Sequence, residues 1–131
     1  MTLNILLVDD SRSFLKAMQR FLGTLPCVRI IGLAQDGYSA LEKAEKLRPD
    51  LVLLDIAMPG MGGFEVAEAL NTRPRPPRIV FLSLHDNTAY RAMASAHGAV
   101  DLICKADFNT KLITLLELLA GEAGTASGRR A

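Results

Sequence analysis

The chain has 131 residues, a length that predicts one domain able to bury ~65–70% of its unfolded surface without a metal or disulfide. Apolar residues make up 50% and charged residues 22%, which excludes disorder; aromatic residues are only 5%, with no Trp, which argues against a base-stacking platform. Fifteen Lys and Arg against fourteen Asp and Glu leave a net charge of +1, too balanced to steer the chain onto DNA or an anionic membrane.

The first apolar run, at residues 5–8, ends in Asp9-Asp10. Phe14, Ala17, Met18, Phe21, Leu22 and Leu25 then recur at helical spacing, closed by Gly23 and Pro26. A second run at 28–34 leads to a helix pattern of Ala40, Leu41, Ala44 and Leu47, stopped before Pro49. The third run, 51–54, ends in Asp55, and a Gly-rich loop expected to be flexible separates it from Phe64, Ala67 and Leu70. The fourth run, 79–82, ends in Ser83, ahead of a helix whose expected inner face is Ala89, Ala92, Met93 and Ala96. The fifth, 102–104, ends in Lys105. A last helix over 108–120 is apolar almost all round, and residues 121–131 read as a flexible tail or the start of an interdomain linker.

The runs are rich in Val, Ile and Leu and do not alternate with polar residues, as strands covered on both faces do not. Five strands alternating with five helices predict an α/β domain: a doubly wound parallel sheet between two helical layers. Cys27 and Cys104 are too few for a disulfide framework and read as small buried hydrophobes. The chain opens without a basic-then-apolar leader and holds no apolar run near ~18 residues, so a soluble cytoplasmic setting is expected.

In such sheets the ligand site lies beyond the carboxyl ends of the strands, where Asp9, Asp10, Asp55, Ser83 and Lys105 fall. Two carboxylates ~4 Å apart repel by ~4 kcal/mol at an effective dielectric near 20. Three therefore call for a cation, and oxygen ligands without a His/Cys cluster favour Mg²⁺ over zinc. Magnesium accepts phosphate oxygens, which points to phosphoryl chemistry. Asp55, a lone acid closing a buried strand, is the candidate nucleophile, with Ser83 and Lys105 as donors to phosphoryl oxygens.

The motifs Leu-Leu-Val-Asp-Asp (6–10), Leu-Val-Leu-Leu-Asp-Ile-Ala-Met-Pro-Gly-Met-Gly-Gly (51–63), Val-Phe-Leu-Ser (80–83) and Lys105 resemble the receiver domain of two-component response regulators. The resemblance covers about residues 3–120, so that residues 1–120 form the expected receiver domain. It implies the flavodoxin-like strand order 2-1-3-4-5, Asp55 as phosphoacceptor and Asp9 and Asp10 as the acidic pair. It further implies the carbonyl of Ala57 as a metal ligand, Ser83 as the switch hydroxyl and Lys105 as the phosphate-contacting lysine. The partner it implies is a sensor histidine kinase or histidine phosphotransfer protein, with a possible homodimer through the fourth helix, fifth strand and fifth helix.

Ser83-Leu-His-Asp86 and the stretch 28–37 are similar to receivers of the LuxR/NarL/FixJ type, which control DNA through a C-terminal output domain. That output part is absent from this chain, which is then either an excised receiver or a free-standing regulator acting by protein contact. Three positions depart from the family pattern. Leu102 stands where an aromatic switch residue is common, Ala106 where Pro is common, and Leu84 where a small residue is common. An aspartate-nucleophile phosphohydrolase of the haloacid dehalogenase type would need its nucleophile on the first strand. A flavodoxin-like electron carrier would need a hydroxyl-rich loop in place of Asp9-Asp10.

Overall fold

A computed structural model describes residues 2–85 and 87–129, with 122–129 as backbone alone. Asp86 and residues 130–131 of the expected tail lie outside the described residues. The strands are β1 (Leu3–Val8), β2 (Val28–Ala34), β3 (Leu51–Asp55), β4 (Arg78–Ser83) and β5 (Asp101–Cys104). The helices are α1 (Arg12–Leu22), α2 (Gly37–Leu47), α3 (Gly63–Asn71), α4 (Thr88–Ala96) and α5 (Phe108–Arg129), with a 3-10 turn at Lys105–Asp107 before α5. All neighbouring strands pair in parallel, in the order β2-β1-β3-β4-β5.

Successive strand residues point to opposite faces, so each continuous apolar run feeds two cores. Ile5, Leu7, Leu51, Leu53, Val80, Leu82 and Ile103 pack under α1 and α5, against Leu15, Met18, Leu22, Leu112 and Leu116. Leu6, Val8, Val52, Leu54, Ile79 and Phe81 pack under α2, α3 and α4. The edge strand β2 departs from expectation: most of it is only half-buried. Its register against β1 slips after Ile5, and a side chain at Gly32 would lie 2.8 Å from Leu47.

The helix α4 departs from its predicted face, where alanine sets the pattern, whereas Ala40, Ala44 and Ala67 are buried on α2 and α3 as expected. On α4 the expected stripe of Ala89, Ala92, Met93 and Ala96 is exposed. The inward stripe is Tyr90, Ala94 and His97, because the Tyr90 and His97 rings pack on Phe64 at 6.1 and 5.3 Å. Alanine fits either side of a helix, so its spacing marks the helix more than its face. His97 also caps α4, its Nδ1 donating to the carbonyl of Met93 at 2.8 Å, and Gly98 follows at φ 72°. On α5, Leu112, Leu116 and Leu119 are buried while Leu118 is 58% exposed. Helical backbone continues past Ala120 to Arg129. No proline interrupts that stretch, and its glycines weaken a helix without ending it. Both cysteines are half-buried, less enclosed than expected.

Candidate functional site: an acidic cleft at the carboxyl edge

Strand order reverses between β1 and β3: α1 packs on one face of the sheet and α2 on the other. A crevice opens at such a reversal, and here Asp9 and Asp55 close its two walls. Among the described residues, the buried polar side chains are Asp9, Asp55 and Ser83, all at this edge. Asp10 is exposed above them, and carboxylate oxygens of Asp9, Asp10 and Asp55 lie within 4.8 Å of one another.

Lys105 enters from β5. Its Nζ lies 2.7 Å from Asp9 Oδ2 and 3.3 Å from Asp55 Oδ1, with the side chain 10% exposed. The backbone N–H of Ala57 donates to Asp55 Oδ1 at 3.3 Å. Burial pushes the Asp55 carboxyl up from 3.8 to about 6, the negative charge of Asp9 adds to the rise, and the Lys105 ammonium and the Ala57 N–H offset part of it. Asp9 is anchored from below, its Oδ1 accepting from the N–H of Ser11 at 2.8 Å. Its Oδ2 is buried without a well-directed hydrogen bond, close as the ammonium is. A buried anionic oxygen so placed beside two further carboxylates forms an all-oxygen donor set that suits Mg²⁺.

Asp10, Asp55, Ser83, His85, Tyr90 and Lys105 line a cleft of about 760 Å³, with Ala57 and Ala106 also on its wall. The predicted residues therefore come to one place. Ser83, however, is turned to its own loop: its Oγ donates to the carbonyl of His85 at 2.8 Å and accepts from the His85 N–H at 3.1 Å. Leu84 is 70% exposed at the rim, and Leu102 is buried in the core under α4. Among the described residues no peptide bond is cis, that before Ala106 included.

Three residues of this site escape sequence reasoning. The loop after Asp55 is close-packed at its end and not simply flexible: a Cβ on Gly63 would sit 2.3 Å from the Asp55 carbonyl oxygen. The Gly63 N–H donates to the carbonyl of Ile56 at 2.9 Å, locking that approach. Phe14 reads as one more core position, yet its ring lies 4.7 Å from Lys105 Nζ. Tyr90 falls outside the alanine pattern and lines the cleft.

A parallel sheet in the order 2-1-3-4-5 with an acidic crevice at its reversal gives the chain a flavodoxin-like fold. It belongs to the response regulator receiver domain family, whose profile matches residues 5–117. It is 35% identical over 105 residues to "Probable transcriptional regulatory protein NarL" of Mycobacterium tuberculosis, covering 80% of this chain and 49% of that protein. It is 36% identical over 104 residues to "Protein-glutamate methylesterase/protein-glutamine glutaminase 5" of Myxococcus xanthus, covering 79% and 30%. Among solved structures, the signal receiver domain of the M. tuberculosis NarL superposes with a TM-score of 0.84 at 32% identity, over 92% of this chain and 97% of that one. A LuxR-family response regulator from Aurantimonas sp. SI85-9A1 gives 0.86 at 25% identity, over 92% and 86%. The chain spans at most about half the length of these curated relatives. Receiver domains of this family act in two-component signalling and bind Mg²⁺ through an acidic pocket. Among the described residues no helix is long and apolar enough to cross a membrane.

Proposed function

We propose that Asp55 is the phosphoacceptor of a phosphorelay and receives its phosphoryl group from a phosphohistidine on a sensor kinase or histidine phosphotransfer protein. A carboxylate oxygen of Asp55 forms the new P–O bond as the P–N bond breaks. The bonding pair returns to the imidazole nitrogen, and the product is an acyl phosphate. The observation that carries this reading is the meeting of Asp9, Asp10 and Asp55 within 4.8 Å under the Lys105 ammonium.

Asp9, Asp10, Asp55 and the carbonyl of Ala57 would hold Mg²⁺, which supplies positive charge to neutralise the transferring oxygens. Lys105 neutralises one phosphoryl oxygen. Ser83 donates to another once it releases the carbonyl of His85. The chain works as an acceptor and signal carrier, not as a turnover enzyme, and its setting is the cytoplasm.

The output lies on the face of α4, β5 and α5, where Met93, Val100 and Leu118 are 42%, 40% and 58% exposed. Apolar side chains exposed on the switching elements support a change of protein partner there, a second copy of the chain included. Both transcriptional regulators and methylesterases appear among the relatives, each longer than this chain, so the same receiver serves more than one output. The NarL-type likeness favours DNA control through an output domain, with a free-standing receiver as the second reading.

Incubation with Mg²⁺ and a small phosphodonor should add one phosphoryl mass to the wild-type chain and none to Asp55→Asn. Full labelling of the variant, or none of the wild type, would overturn the assignment.

A further inference from the structure

The Lys105 ammonium has three donors but only two carboxylates. On a further side it faces the Phe14 ring, 4.7 Å from the centroid. With the side chain only 10% exposed, the ring stands where water would otherwise solvate the charge. The ring is itself fixed. Ser11 is the N-cap of α1, and its Oγ accepts from the Phe14 N–H at 3.2 Å. The ring also meets Phe108 edge-on at 5.2 Å, and Phe108 meets Phe21 at 5.4 Å. The contacts close into a circuit: Asp9 holds the Ser11 N–H, Ser11 holds the Phe14 N–H, Phe14 covers Lys105, and Lys105 returns to Asp9.

We infer that Phe14 is a positioning residue for phosphoryl acceptance, holding the Lys105 ammonium over Asp9 and Asp55 by cation–π attraction and excluding water from its flank. The inference rests on the proposed phosphoacceptor role of Asp55. A lysine stem has four rotatable bonds, and each carboxylate contact alone leaves the ammonium free to swing into the open cleft. The ring face restricts that freedom on one flank that the carboxylates leave uncovered. A desolvated contact of this kind is worth about five- to thirty-fold in any step that needs the ammonium in place.

The test compares Phe14→Leu, Phe14→Tyr and Phe108→Leu in the full chain. Labelling by a small phosphodonor with Mg²⁺ should slow about five- to thirty-fold in Phe14→Leu. It should stay within about twofold of wild type in Phe14→Tyr, which keeps the π face, and fall only part of the way in Phe108→Leu, which loosens the ring but leaves its face on the ammonium. In the same proteins, NMR should show the Lys105 ε-methylene protons shifted upfield by the ring in wild type and Phe14→Tyr, and unshifted in Phe14→Leu. Wild-type labelling in Phe14→Leu, an equal loss in Phe108→Leu, or unshifted methylene protons in wild type would overturn the role. A wild type that takes no label removes the reaction itself and the positioning role with it, while the ring shift still reports separately whether the contact exists.

Discussion

Asp55 makes the folded chain less stable in the absence of metal, and the size of that effect is measurable. Burial and the charge of Asp9 raise its pKa from 3.8 to about 6 on folding. A carboxyl that binds its proton more tightly when folded stabilises the fold most below its unfolded value. Stability then falls as pH rises through the window between the two values, and stays lowered above it. At 1.36 kcal/mol per unit, the rise corresponds to about 3 kcal/mol, with the attraction of Lys105 already included. Asp55→Asn removes the titration. Urea unfolding in a chelator should find the variant about 2–3 kcal/mol more stable near pH 7.5 and equal to wild type near pH 3. Saturating Mg²⁺ should close most of the gap from the wild-type side, since a ligand at about a hundred times its Kd adds about 2.7 kcal/mol. A stability difference independent of pH, or a variant weaker than wild type near neutrality, would refute the electrostatic account of this site.

Two further substitutions test the scaffold. Gly63→Ala would put a methyl 2.3 Å from the Asp55 carbonyl oxygen and 2.9 Å from the Ile56 Cα, so backbone must move. A loss of about 2 kcal/mol or more, with slowed phosphoryl labelling, is expected from denaturant melts, and wild-type stability would show that the approach is looser than described. On α5, Leu116→Ala should cost about 2–5 kcal/mol, while Leu118→Ala stays within about 0.5 kcal/mol, because the first side chain is fully buried and the second 58% exposed. Equal costs in thermal melts would mean that α5 seats differently.

The strands and their end residues were legible because a doubly covered strand needs an unbroken apolar run. The first polar residue after it then falls at the sheet's edge, as Asp9, Asp55 and Lys105 do. Strand order came from the family resemblance, since periodicity says which elements exist and not which ones touch. The inner face of α4 was not legible, because three alanines and a methionine outvoted one tyrosine by count though not by contact area. Phe14 was hidden for the same reason in reverse: an aromatic at core spacing satisfies the pattern completely and leaves no sign of its second contact. The orientation of the Ser83 hydroxyl depends on a loop carbonyl two residues away, a geometry that no residue pattern encodes.

That orientation bears on which part of the chain must move when Asp55 is modified. An acyl phosphate on Asp55 replaces a single negative charge by about −2, a net gain of about −1 beside the carboxylates of Asp9 and Asp10, so each available donor is drawn in. Lys105 is in place; Ser83 must first give up the carbonyl of His85. The freed carbonyl belongs to His85, an exposed residue ahead of α4. The helix it leads to is weakly anchored: Ala94 is the buried residue of α4, whereas α3 buries Gly63, Val66, Ala67 and Leu70. Its further holds include the Tyr90 and His97 rings on Phe64, worth about 1 kcal/mol each, and the Asn71 Nδ2 donating to the His97 carbonyl at 2.7 Å. A charge placed at Asp55 therefore meets little resistance along the path to α4 and much along the path to α3. Under the proposed phosphoacceptor role of Asp55, the change in surface is therefore expected at α4.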